Sequence, residues 1–278
     1  MSHVAGIAQA MTDPLIRIAD ALDRLAPPPP ASADPGTHPA YLWHGRALVA
    51  ARAFRPLPLE LLHGVDRQRE ILQANVERLA DGHAAQDALL WGARGTGKSA
   101  LVKSVIGAAQ AAGKPVALVE VVAPLDTLPA LFDALASVNR AFAVFIDDLG
   151  FEAASEGRAL RSLLEGGADA RPDNVRLIVT ANRRHLIPRD LSEQESAINP
   201  RDSIDDNLAL ADRFGLSLGF HALDQDGYLD IVRGYAEAHD LPFDSEEAVN
   251  WATRRGSRSG RVAWQYIVDL AGRSGKSL

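Results

Sequence analysis

The sequence has no cysteine among its 278 residues. That excludes a disulfide framework, a thiolate metal site and a cysteine nucleophile, and it fits a reducing cytoplasm. No run of 18 or more apolar residues is present, so no membrane-spanning helix is expected. The opening stretch MSHVAGIAQAMTDPLIRIAD lacks a basic flank, a continuous apolar run and a cleavage site, and does not read as a signal peptide. Positive charge is also short: 29 basic against 36 acidic residues give a net charge of −7, which disfavours whole-molecule attraction to nucleic acid. No internal repeat is visible. The histidines at 63, 83, 185 and 221 have no metal-ligand spacing with carboxylates and read as structural or solvent-facing.

Hydrophobic residues make up 47% of the chain and charged residues 23%, enough to bury a sizeable core without staples. Residues 12–26 read as a short helix capped by Thr12 or Asp13, with Leu15, Ile18, Leu22 and Leu25 on one stripe. It either docks on a partner or a neighbouring subunit, or packs back on its own core or frays. The stretch 27–40, rich in proline, reads as an extended linker. From residue 57 onward short apolar runs at 87–91, 116–122, 142–147, 175–180 and 216–220 alternate with helical patterns at 66–81, 98–112, 126–137 and 156–165. That alternation predicts an α/β fold, a parallel sheet between two helical layers. After residue 222 the pattern is all helical, over 224–238, 245–255 and 259–272, with Gly256 and Gly260 as breaks. The expected division is therefore an N-terminal helix (1–26), a linker (27–40), an α/β core (41–221) and a small all-helical lid (222–278). The polar stretch 188–207 is a long insertion in that core, either a client-engaging arm or a disordered loop.

The segment Gly92-Ala93-Arg94-Gly95-Thr96-Gly97-Lys98-Ser99, followed by Ala100, matches G-x-x-x-x-G-K-[ST] in full. A strand enters it and a helix with a stripe of Leu101, Val105 and Ala109 leaves it, the context a phosphate loop requires. The glycines let successive backbone N–H groups face one anion, and the helix adds its positive end. Lys98 supplies a mobile charge for the β- and γ-phosphates, and the Ser99 hydroxyl is a ligand for Mg²⁺. The later GRSGKS at 272–277 has too few residues between its glycines and no strand before it; it is a decoy.

Downstream, Ala143-Val-Phe-Ile146 runs into Asp147-Asp148, a Walker B arrangement. Asp147 is the expected magnesium carboxylate and Asp148 the group that orients or deprotonates the attacking water. The absence of an Asn-Lys-x-Asp guanine-reading motif argues against a GTPase. Thr180-Ala181-Asn182 closes the next strand; Asn182, with Thr180 as the alternative, would hold the water near the γ-phosphate. Arg213, ahead of the last strand, has the place of an arginine finger, and Arg261, at the start of the last helix, that of a nucleotide sensor in the lid. The cluster Arg254, Arg255, Arg258 and Arg261 is the one candidate for a local nucleic-acid patch; its alternative is a solvated helical face plus that sensor.

Taken together, LLHGVDRQRE, LLWGARGTGKSALVKS, FIDDLGFE, TANRRHLIP, LADRFGLSLGF and SGRVAWQY resemble the bacterial AAA+ ATPases grouped as domain of unknown function 815, from about residue 41 to the C-terminus. The resemblance implies an AAA+ core with a helical lid, ATP and Mg²⁺ as cofactors, and a position near the adenine for Gly64, Val65 and Gln68. Similar proteins often carry Glu where this chain has Asp148, a methylene longer. Two functions are consistent with these motifs. One is an oligomeric ATPase whose Arg213 completes a neighbour's Lys98 site while it remodels or loads a protein partner. The other is a slow ATP-controlled binding switch similar to helicase loaders. A small-molecule kinase is the weakest third reading.

Overall fold

The computed structural model describes residues 31–149, 171–182 and 213–278, together with helical positions at 14, 16–19, 21, 22, 24, 160, 163 and 164. Five strands stand where the apolar runs are: β3 (Ala88–Gly92), β4 (Val116–Val121), β5 (Ala141–Leu149), β6 (Val175–Asn182) and β7 (Leu216–Phe220). Their order is β4-β5-β6-β3-β7, and all their pairings are parallel. Strands buried on both faces read as continuous apolar runs rather than alternating ones, and β5 is buried from Ala141 to Ile146.

The sheet is wider than the sequence pattern suggests. A hairpin of β1 (Ala40–Trp43) and β2 (Leu48–Ala50) extends it, with β1 parallel to β4 and β2 at the edge. Strands of four and three residues are too short to carry a period, and their burial comes from β4. The hairpin turns through Gly45 at φ 86°, a left-handed conformation glycine adopts without strain. The stretch read as a linker over 27–40 is tied to this hairpin from Ser32 onward. The Ala33 N–H donates to the Leu48 carbonyl (2.6 Å), the Leu48 N–H donates to Ser32 Oγ (3.2 Å), and Tyr41 Oη donates to the Asp34 carbonyl (2.8 Å).

Helices α1 (Asp66–Ala80) and α2 (Lys98–Ala111) cover one face of the sheet, and α3 (Leu128–Ala136) covers the other. Leu72, Val76, Leu101 and Val105 share a core with Leu90 and Phe145, whereas Leu128, Leu131 and Leu135 share one with Leu89 and Val144. The alternation along each strand thus feeds two separate cores. Against the expected 126–137, α3 starts at Leu128 after a 3₁₀ turn over Leu125–Thr127, because Pro129 suits only a first turn. Of the helix expected over 156–165, Leu160, Leu163 and Leu164 are helical and meet the α3-side core; its other residues, like the 188–207 insertion, lie outside the described ones.

The lid is built from α4 (Gln225–Ala238), α5 (Ser245–Arg254) and α6 (Gly260–Arg273). Each is capped by a side-chain oxygen that accepts a backbone N–H three residues on: Asp224 from Gly227, Asp244 from Glu247 and Ser259 from Val262. Gly256 does end a helical stretch, at φ 63°. Gly260 does not; it is the first residue of α6, with Ser259 as its cap. Tyr228, Val232, Ala263, Tyr266 and Ile267 form the lid's own core.

Candidate functional site

The phosphate loop is shaped by what lies behind its glycines. A Cβ on Gly92 (φ 147°) would lie 2.0 Å from the Phe220 carbonyl oxygen of β7. On Gly95 (φ 77°) a Cβ would lie 2.7 Å from Cβ of Ser259 in the lid. Gly97, left-handed at φ 91°, turns the chain into α2. Lys98 is folded back on its own loop, and Nζ donates to the carbonyls of Gly92 (3.0 Å) and Ala93 (2.7 Å). Burial lowers the Lys98 pKa, and the nearby carboxylates of Asp148 and Asp147 work against that shift. The Thr96 hydroxyl donates to the Ala93 carbonyl (2.9 Å), bracing the same turn.

The acidic pair sits at a deliberate irregularity. The register of β5 on β6 shifts between Ile146 and Leu149, and Asp148 takes φ 52°. A non-glycine residue in that region stores roughly 1–3 kcal/mol. The bulge presents both carboxylates at the strand tip beside the phosphate loop. Ser99 Oγ donates to Asp147 Oδ1 (2.6 Å), and Thr180 Oγ1 donates to the same oxygen (2.5 Å) while accepting from the Asp148 N–H (2.8 Å). Asp148 is held separately: Asn182 Nδ2 donates to its Oδ1, and the Arg94 guanidinium lies 3.3 Å from its Oδ2. Thr180 and Asn182, alternatives in the sequence, are both in this network, Thr180 on the Asp147 carboxylate and Asn182 on that of Asp148. Arg94 points to Asp148 and is not part of the cavity wall.

Behind the loop a cavity of about 480 Å³ opens between core and lid. Gly95, Thr96, Gly97, Lys98, Ser99 and Ala100 line its loop end, and Val65 and Arg261 lie in its wall. Gln68 does not; its amide donates to the Gly219 carbonyl (2.8 Å) and ties α1 to β7. Gly64 is also outside the wall. The apolar end comes from residues the sequence does not mark, among them His63, Leu223, Ile231, Tyr235 and Trp264. His63 is therefore a cavity residue, and its Nε2 is buried without a hydrogen-bond partner among the described residues. Tyr235 and Trp264 meet edge to face, with centroids 5.2 Å apart. The lid touches the loop directly, since the Gly260 N–H donates to the Gly95 carbonyl (3.1 Å).

Arg213 stands elsewhere. Strands β3 and β7 run parallel with Ala88 opposite Leu216 and Gly92 opposite Phe220. Arg213, three residues before β7, is thus at the amino end of the sheet, a strand's length or about 15 Å from the loop's end. Arg254, Arg255 and Arg258 are exposed on the α5–α6 turn, and the Arg255 guanidinium stacks 3.6 Å over the Trp251 ring. Among the described residues no group of three or more His, Asp or Glu forms a metal site, and no helix is long and apolar enough to cross a membrane.

The core strand order, the phosphate loop with its facing acidic tip and the helical lid together define a P-loop protein of the AAA+ class. Residues 36–274 match the family described as "Protein of unknown function (DUF815)", and the chain belongs to that family. The fold is similar to that of Thermotoga maritima RuvB, solved as a mutant: TM-score 0.52, 18% identity, covering 81% of this chain and 68% of that one. It is also similar to Aeropyrum pernix Orc1 in complex with DNA: TM-score 0.52, 18% identity, covering 76% of this chain and 61% of that one. No curated protein matches the sequence.

Proposed function

We propose that the chain binds Mg-ATP between core and lid and hydrolyses it, at a site that a second copy completes. The observation that carries this reading is the convergence of Ser99 Oγ and Asp147 Oδ1, 2.6 Å apart, at the open end of the phosphate loop. A hydroxyl and a carboxylate are the oxygen donors that magnesium takes alongside phosphate and water. Held by these two residues, the ion would neutralise charge on the β- and γ-phosphates. The remaining steps belong to the protein. Lys98 exchanges the Gly92 and Ala93 carbonyls for phosphate oxygens. Asp148 accepts a proton from a water as its oxygen bonds to the γ-phosphorus; the anhydride bond breaks and ADP leaves with the electron pair. The cavity's apolar end suits a purine flanked by Tyr235 and Trp264. Arg213 is too far from its own Lys98 to take part, so its role as a finger requires a neighbouring copy.

The test is phosphate release from Mg-ATP over a wide range of protein concentration. Specific activity that climbs with concentration, and is lost in Arg213→Ala, is the expected result. Full activity in a strictly monomeric sample overturns the shared site.

A second reading, a slow ATP-controlled switch, is favoured by one feature: the Asp148 carboxylate is already engaged by Asn182 and Arg94. On that reading ATP binds tightly but turns over only when a protein partner frees Asp148. A flat, near-zero rate despite measured ATP binding would select it.

A further inference from the structure

The phosphate loop carries two cations, Lys98 and Arg94, and only Lys98 lines the cavity. The backbone on either side of Arg94 is tied down. The Ala93 carbonyl accepts from Lys98 Nζ and from the Thr96 hydroxyl, and the Gly95 carbonyl accepts from the Gly260 N–H of the lid. The Arg94 side chain, by contrast, is 79% exposed, and its single ionic partner among the described residues is Asp148, with Nη2 3.3 Å from Oδ2. A fixed backbone thus carries a long side chain that is held only at its tip.

The partner gives this contact its meaning. Both Asp148 oxygens are taken, Oδ1 by Asn182 and Oδ2 by Arg94. Asn182 ends β6, in register with Gly92 of β3, and the Asp148 N–H is fixed on Thr180 Oγ1 at 2.8 Å. Arg94 is the partner that can leave. An ion pair between side chains 79% and 55% exposed is weak and screened by salt, and a guanidinium fork matches phosphate oxygens as well as it does a carboxylate. The charge of Arg94 is also felt at Lys98: burial does most to lower the Lys98 pKa, Asp148 and Asp147 oppose it, and Arg94 adds to the lowering. The two cations therefore repel each other, and an anion beside both offsets that repulsion.

We propose that Arg94 tells ATP from ADP: its guanidinium leaves Asp148 Oδ2 for the terminal phosphate, which ADP lacks, and the same exchange opens Oδ2 to the attacking water. On the leading reading of the proposed function, on which this role rests, Asp148 faces the γ-phosphate, so the guanidinium beside Asp148 stands next to the same group. Lys98 then serves either nucleotide from inside the cavity, whereas Arg94, from outside its wall, serves only the triphosphate. Release of Asp148 follows from ATP binding itself.

The test compares two ligands, Mg-ADP and the magnesium complex of the non-hydrolysable β,γ-imido analogue of ATP, by calorimetric titration of full-length chains. Arg94→Gln should weaken the triphosphate analogue about threefold to tenfold, the worth of one exposed charge-assisted contact, and leave ADP unchanged. Arg94→Lys, which keeps the charge and loses the fork, should recover part of that loss. Asp148→Asn removes the carboxylate that competes for the guanidinium, so it should tighten the analogue several-fold. That gain should vanish when Arg94→Gln is added to the same chain. Equal weakening of both ligands by Arg94→Gln would make Arg94 a brace of the loop, and no change in either would make it a surface ion pair; each overturns the proposal. A gain from Asp148→Asn that persists beside Arg94→Gln would overturn it too, because the carboxylate would then act on the phosphate directly. A wild-type chain that binds neither ligand would remove the proposed function and this role with it. ATP hydrolysis by a chain in which Arg94→Gln does not separate the two ligands would keep that function and remove the role alone.

Discussion

Lys98 is the residue whose surroundings state its purpose most directly. Its ammonium is buried and held by two carbonyls of its own loop, and burial lowers its pKa; on the proposed function those carbonyls give way to phosphate. Lys98→Ala should weaken ATP binding about tenfold to a hundredfold, the worth of one to two charge-assisted contacts, while leaving the melting temperature nearly unchanged. Fluorescent-nucleotide titration and a thermal melt on the same sample check both halves. Asp148→Asn keeps the shape and removes the base; turnover should fall by about 10²–10⁴ with ATP still bound. Single-turnover hydrolysis reads this, and an unimpaired rate would remove Asp148 from the chemistry. The sequence motif named both residues. It did not tell Thr180 from Asn182, because that choice depends on the bulge at Asp148, which brings β5 and β6 out of register.

Among the elements, the lid has a chemical signature of its own. Burial pushes the phenols of Tyr228 and Tyr266 up to about 12, and the Glu247 carboxylate that accepts the Tyr266 hydroxyl adds to the second shift. A phenol whose pKa is raised on folding contributes stability that is complete below pH 10 and is lost as pH climbs toward 12. The lid should therefore lose helicity in that window, with phenolate absorbance rising in step with the loss of far-ultraviolet ellipticity. Tyrosines ionising near pH 10 with the lid intact would contradict it. Gly260, read as a break, opens the last helix because Ser259 caps it, but each lid helix was legible as a helical segment, and so were the five core strands as apolar runs. The β1–β2 hairpin was not, because three- and four-residue strands have no pattern apart from the neighbour that buries them. The supposed linker failed from Ser32 onward for a related reason: its hydrogen bonds run to Leu48 and Tyr41, partners that composition does not reveal.

At the scale of the whole molecule, the separation of Arg213 from Lys98 across the sheet lets the proposed shared site be tested by mixing. Arg213→Ala and Lys98→Ala should each be inactive alone. Mixed, they should regain activity that neither has, because an intact Lys98 site can then meet an intact Arg213 from the other chain. A mixture as inactive as its parts would count against a site shared between copies. The sequence by itself determined the phosphate loop, the acidic pair, the α/β core and the helical lid, since each is a contiguous pattern whose chemistry or period needs given residue types at fixed spacing. The tertiary structure alone decided that Gln68 is tied to Gly219, 151 positions away, rather than lining the cavity, and that His63, Tyr235 and Trp264 line it instead. These are contacts between segments far apart in the chain, and no local pattern carries them until the sheet and lid have brought the segments together.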